Sequence, residues 1–87
     1  MSDEIQAQFE QAQKDVKELD ERPDNDTLLR LYSLFKQASQ GDVSGKRPGF
    51  TSPVKRAKYD AWAGLEGMTS LEAMQKYIDL VEELRGK

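Results

Sequence analysis

Apolar residues in this chain recur at steps of three and four, in separate runs broken by proline or glycine, and that rhythm restricts the fold more than any single motif does. Ile5, Phe9, Ala12, Val16 and Leu19 make the first run. A helix turns about 100° per residue, so this spacing gathers all five on one stripe and leaves the other faces to Gln, Glu, Lys and Asp. Pro23 is expected to end that helix, because proline disfavours helical geometry in the residue before it. Asp24, Asn25 and Asp26 can each cap a second helix, with Leu28, Leu31, Tyr32, Phe35 and Ala38 as its inner stripe and Gly41 as a left-handed stop. Ser52 followed by Pro53 marks the start of a third, with Val54, Ala57, Ala61 and Leu65 inward, Trp62 beside them and Gly67 at the end. Thr69-Ser70-Leu71-Glu72 has capping-box spacing and opens a fourth, which turns Met74, Tyr77, Ile78, Val81 and Leu84 to the core.

At 87 residues the chain has room for one hydrophobic core, so residues 1–87 read as a single domain of the all-α class. The joints around residues 23 and 67 are short and predict antiparallel neighbours in a four-helix bundle. Between them, Gly41 to Ser52 has no periodicity and holds Gly45, Pro48 and Gly49, which predicts a long ordered loop or crossover between helices 2 and 3.

The residue inventory narrows the chemistry. Cysteine and histidine are both absent, so neither a thiolate or Ser-His nucleophile nor the common zinc ligand sets can be assembled. What remains for chemistry is carboxylates, lysines and tyrosines, an inventory that favours a binding function. No run approaches the roughly 20 apolar residues of a membrane span. The opening Met1-Ser2-Asp3-Glu4 is acidic and lacks the basic and apolar blocks of a signal peptide, which predicts a cytoplasmic protein.

Charge is distributed unevenly. The net charge is −3, but the segment from Lys36 to Lys58 carries Lys36, Lys46, Arg47, Lys55, Arg56 and Lys58 against Asp42 alone, a net of +5. The remainder has seven cations and fifteen acids, a net of −8. A basic segment in an acidic protein favours a compact anionic ligand over a long polyanion, and no groove-reading motif points to nucleic acid. At its two ends, Tyr32 and Lys36 stand one helical turn apart on one face, with Phe35 adjacent, and Lys58 precedes Trp62 by the same interval. Rings offer a stacking surface and ammonium groups offer charge, a combination suited to a phosphorylated ligand. Aromatics on a helical stripe are core residues more often than ligand contacts, so the weight rests on rings, cations and a structured loop occurring together. A helical module that docks an acidic protein partner through the same segment is the alternative.

The resemblance becomes specific at Tyr32-Ser33-Leu34-Phe35-Lys36-Gln37-Ala38, then Gly41-Asp42, Arg47-Pro48-Gly49 and Arg56-Ala57-Lys58-Tyr59-Asp60-Ala61-Trp62. Phe9, Pro23, Ala73-Met74, Tyr77-Ile78 and Val81-Glu82-Glu83-Leu84 extend it along the chain without a gap. In order and spacing the chain resembles the acyl-CoA-binding protein family. The resemblance implies an up-down-down-up four-helix bundle that holds one acyl-CoA with no catalytic residues, no metal and no cofactor, and so no enzyme; a monomer is the default expectation. It implies a buffer and transporter of medium- to long-chain acyl-CoA that passes its ligand to enzymes and membranes. It also implies that Tyr32, Lys36 and Lys58 hold the 3′-phosphate, that Phe35 and Tyr77 border the adenine and ribose, and that Lys17 stands near the head group. Three positions depart from the family pattern: Phe35 where tyrosine is common, Tyr59 where tryptophan is common, and Val54 where lysine is frequent. Lys55 lies about 100° of helical rotation from Val54, so it is not expected to replace the missing cation.

Overall fold

The computed structural model describes residues Ser2–Gly86. Among them are four helices and no strand: α1 (Ser2–Val16), α2 (Asn25–Gln40), α3 (Pro53–Ala63) and α4 (Ser70–Leu84).

α1 stops earlier than Pro23 requires. Its last turn tightens into i→i−3 hydrogen bonds, from the Lys17 and Glu18 amides to the Lys14 and Asp15 carbonyls, and Leu19 falls beyond it. Asp15, Glu18, Asp20 and Glu21 crowd the negative end of the helix dipole, which disfavours further turns. α2 begins at Asp24, whose carboxylate accepts from the Thr27 amide at 2.8 Å. It ends at Gly41, whose φ of 80° and ψ of −150° lie outside the left-handed helical region, in backbone space open essentially to glycine alone. Ser52 occupies the N-cap position of α3, but its side chain makes no capping bond; Pro53 at the first position fixes the start. α3 closes at Ala63, and Leu65 and Gly67 belong to the turn that follows. At α4 both halves of the capping box are formed, with Thr69 Oγ1 accepting from the Glu72 amide and Glu72 Oε1 accepting from the Thr69 amide, each at 3.1 Å.

Helix pairing differs from the expectation drawn from short joints. α1 packs on α4, α4 on α2 and α2 on α3. The helices therefore form a row, α1–α4–α2–α3, and chain-adjacent α1 and α2 are separated by the intervening α4. The described residues extend 37 × 31 × 15 Å along the principal axes, so the bundle is flattened along one of them.

The core fills the centre of this row with Phe9, Ala12, Leu31, Leu34, Ala38, Ala73, Tyr77, Ile78, Leu80 and Val81. Burying each large apolar side chain contributes roughly 1.5–3 kcal/mol. On α2 the inner stripe is Leu31, Leu34 and Ala38, while Tyr32 is only half-buried and Phe35 lies at the rim. On α3 the expected stripe fails at Val54, which is 66% exposed; Trp62 is the one buried residue of that helix. An end helix with a single neighbour has little apolar face to bury, and polar contacts fasten it.

Among the described residues two polar ones are buried, Ser33, whose hydroxyl donates to the Arg30 carbonyl, and Gln37. Gln37 is 0% exposed, and its Nε2 donates to Asp42 Oδ1 at 2.9 Å and to the Met68 carbonyl at 2.8 Å. Asp42 Oδ1 also accepts from the Gly67 amide at 2.8 Å. One amide and one carboxylate thereby tie the end of α2 to the joint between α3 and α4. The Gly67 amide and the Gln37 side chain hold the Asp42 carboxyl below its ordinary range. Among the described residues Gln37 Oε1 has no hydrogen-bond partner.

Candidate functional site

Tyr32 and Lys36 differ by about 40° around the α2 axis and face α3. The Lys36 ammonium lies 5.9 Å from the centre of the Tyr32 ring and 5.2 Å from that of Trp62. From α3, the Lys58 ammonium lies 5.2 Å from the same Tyr32 ring. Two cations on separate helices thus converge on one phenol. An ammonium within about 6 Å of a ring centre gains cation–π attraction while keeping donors for another acceptor.

Beside them is a pocket of about 300 Å³ lined by Tyr32, Pro48, Lys55, Lys58, Tyr59 and Trp62. Lys55 also lines it. Rotation fixes where the Cβ points. A long flexible stem in the first turn of α3 can still reach a pocket whose far wall is the loop residue Pro48. A larger hollow of about 710 Å³ lies elsewhere, where the four acids Glu18, Asp20, Glu21 and Asp24 outnumber the cations Arg22 and Arg85. Those carboxylates repel an anion, so charge and not volume identifies the candidate site.

The pocket is held by the crossover loop, which is laced along α3. Trp62 Nε1 donates to the Gly41 carbonyl at 2.8 Å, and the Tyr59 hydroxyl donates to the Gly45 carbonyl at 3.1 Å. Arg47 forms a two-pronged pair with Asp60, Nε to Oδ1 and Nη2 to Oδ2, both 2.7 Å. Its hydrogen bonds lower the Asp60 pKa and raise that of Arg47. Arg47 therefore serves the scaffold, and the cations gathered around Tyr32 and the pocket are Lys36, Lys55 and Lys58.

The remaining candidates are placed differently. Phe35, 36% exposed, stacks on Phe9 with ring centres 6.1 Å apart, and Phe9 meets Tyr77 edge-on at 5.1 Å. Tyr77 is a core residue, 5% exposed, and desolvation raises its hydroxyl pKa. Lys17 is exposed in the turn after α1. Among the described residues no hydrogen bond, ion pair or cation–π contact joins it to the Tyr32 group.

Residues 6–81 match the family described as Acyl CoA binding protein. The chain belongs to the acyl-CoA-binding protein family. It is 46% identical over 80 residues to acyl-CoA-binding domain-containing protein 6 of Arabidopsis thaliana, covering 92% of this chain and 87% of that one. It is 45% identical over 80 residues to the acyl-CoA-binding protein of Brassica napus, with the same coverage of 92% and 87%. Its fold superposes on the crystal structure of acyl-CoA-binding protein 2 of Oryza sativa with a TM-score of 0.93 and 39% identity, over 98% of this chain and 92% of that one. Against the family pattern, each departure has a local setting. Phe35 rests on Phe9 and needs no hydrogen-bond partner there. Tyr59 uses its hydroxyl to hold the loop at Gly45. Val54 points to solvent, while Lys55 supplies a cation to the pocket.

Proposed function

We propose that this chain binds medium- to long-chain acyl-CoA thioesters without transforming them, and acts as a monomeric cytoplasmic buffer and carrier that delivers them to enzymes and membranes. The observation that carries this reading is the convergence of Lys36 and Lys58 on Tyr32, beside the pocket that Lys55 also lines. The 3′-phosphate of the ribose is the group best suited to that cluster. A charge-assisted hydrogen bond contributes about 1.5–3 kcal/mol net, so several of them select CoA esters over free fatty acids. Phe35, at the rim of the aromatic group that runs through Phe9 to Tyr77, is suited to border the adenine and ribose. Lys17 is proposed to contact the head group only from the edge, since it stands on the α1 side of the row.

The acyl chain is proposed to lie against apolar surface. Each methylene removed from water contributes roughly 0.8 kcal/mol, so ten of them supply on the order of 8 kcal/mol before the costs of association. That gain separates long chains from acetyl. No step of bond making or breaking is proposed.

Calorimetry with palmitoyl-CoA, octanoyl-CoA and palmitate tests the reading. The expected order is palmitoyl-CoA tightest, octanoyl-CoA weaker and palmitate far weaker. Equal binding of all three, or of none, defeats it. Salt-dependent binding without dependence on acyl length transfers the basic segment to the alternative role of docking an acidic protein.

A further inference from the structure

Phe50 is 84% exposed, the most exposed large hydrophobic side chain among the described residues. It is displayed at the tip of a turn closed by the Ser52 amide donating to the Gly49 carbonyl at 3.0 Å. Val54, 66% exposed, follows in the first turn of α3, and the Arg56 guanidinium lies 5.8 Å from the Phe50 ring. Around them, residues 43–59 carry Lys46, Arg47, Lys55, Arg56 and Lys58 and no acid. Nothing in the pocket or its supports uses Phe50. An aromatic ring held in water by an ordered turn, at the centre of the only acid-free basic stretch of this length, needs a role.

We propose that this tip is a docking point for an anionic lipid bilayer, with Phe50 and Val54 entering the interface and Lys46 and Arg56, which neither the pocket nor the Asp60 pair uses, meeting the headgroups. Two features favour a membrane over a protein partner. A stable protein interface takes about 800 Å² per partner and seats its anchors in pockets, whereas this tip projects two apolar side chains outward, and neither lines the pocket beside Tyr59. A fluid interface accommodates such isolated insertions, and basic residues strengthen them on anionic leaflets. The architecture also orients the chain. α3 ends one side of the row and α1 ends the other. The acids Asp3, Glu4, Glu10 and Asp15 therefore lie on a helix that does not pack against α3, and the two acids that bound the stretch are engaged, Asp60 by Arg47 and Asp42 by Gln37 and Gly67. The inference does not rest on acyl-CoA binding, and its test uses vesicles without that ligand.

The full chain is mixed with vesicles of phosphatidylcholine, or of phosphatidylcholine with phosphatidylserine, and sedimented. Partitioning is expected on the mixed vesicles, weakening with added salt, and at least about tenfold less on the neutral ones. Phe50→Ser should lower it about tenfold, from the loss of one buried ring. Lys46→Ser should lower it about fivefold, from the loss of one headgroup-facing charge. In Phe50→Trp the new indole should blue-shift on the mixed vesicles, over the constant emission of buried Trp62. Circular dichroism confirms that each variant is folded. Absence of wild-type partitioning overturns the proposal, as does partitioning that Phe50→Ser leaves intact. Binding to polyglutamate with no binding to mixed vesicles also overturns it and assigns the tip to an acidic protein.

Discussion

Replacing Lys36 by methionine isolates the phosphate contribution, because methionine keeps a flexible apolar stem and removes the charge. The Lys36 ammonium lies 5.9 Å from the Tyr32 ring and 5.2 Å from Trp62, and that of Lys58 lies 5.2 Å from Tyr32. These distances cap the separation of the two ammonium groups at about 11 Å, near one Debye length, so they repel while no anion lies between them. The variant forfeits two cation–π contacts of about 0.5–1 kcal/mol each and relieves that repulsion. The lost contacts alone, about 1–2 kcal/mol, would lower the thermal midpoint by roughly 4–16 °C, and the relieved repulsion offsets part of that. Binding should change as well. One charge-assisted contact of about 1.5–3 kcal/mol corresponds to a rise in Kd of roughly 10- to 150-fold. Titrating wild type and variant with palmitoyl-CoA and with its 3′-dephospho counterpart forms a thermodynamic cycle that assigns the loss to the phosphate. With the dephospho ligand the loss should shrink to less than about threefold. Wild-type affinity in Lys36→Met, or an equal loss on both ligands, would refute the assignment.

Further outcomes follow from other contacts. Lys55→Ala should raise the Kd for palmitoyl-CoA by roughly threefold or more, since it removes a pocket cation; unchanged affinity would return Lys55 to the solvated surface. Gln37→Glu sets a carboxylate against Asp42 and the Met68 carbonyl in a site that is 0% exposed. It should destabilise the fold by about 3 kcal/mol or more in urea titration near neutral pH, and a native-like midpoint would contradict the burial. Thr69→Ala removes one side of the capping box and should cost about 1 kcal/mol, seen as a midpoint roughly 4–8 °C lower with ligand affinity retained. Asp24, Asp42, Asp60 and Glu72 all titrate below their ordinary values of 3.8 and 4.5, held by Thr27, by Gly67 and Gln37, by Arg47 and by Thr69 respectively. Because the unfolded chain binds these protons more tightly, their stabilisation is complete above the ordinary values and is lost as pH falls through the lower folded ones. The thermal midpoint should be level above about pH 5 and decline below about pH 4, less steeply in Asp42→Asn. A midpoint unchanged down to about pH 2.5 would show that these bonds do not favour the folded state.

What could be read from the sequence was what depends on neighbours along the chain. The stripe Ile5, Phe9, Ala12 and Val16, the proline at the start of α3 and the Thr69–Glu72 box each act over one or two helical turns, and each sits where its spacing put it. Tyr32 and Lys36 shared a face for the same reason. Their meeting with Lys58 was legible only through the family likeness, because spacing within one helix says nothing about the next. Local pattern misplaced Leu19, which lies past the end of α1, and Val54, which has no neighbouring helix to bury it.

Tertiary structure alone decided the order α1–α4–α2–α3, the use of Gln37 and Asp42 as a tie between distant segments, the capture of Arg47 by Asp60 and the arrival of Lys55 at the pocket. These depend on contacts between residues far apart in sequence, where closing a loop must be offset by what the segments gain on meeting. Hydrophobic periodicity encodes which face of a helix leaves water. It carries no label for the surface that receives it, so the partners of each face emerge only when all four helices are packed together.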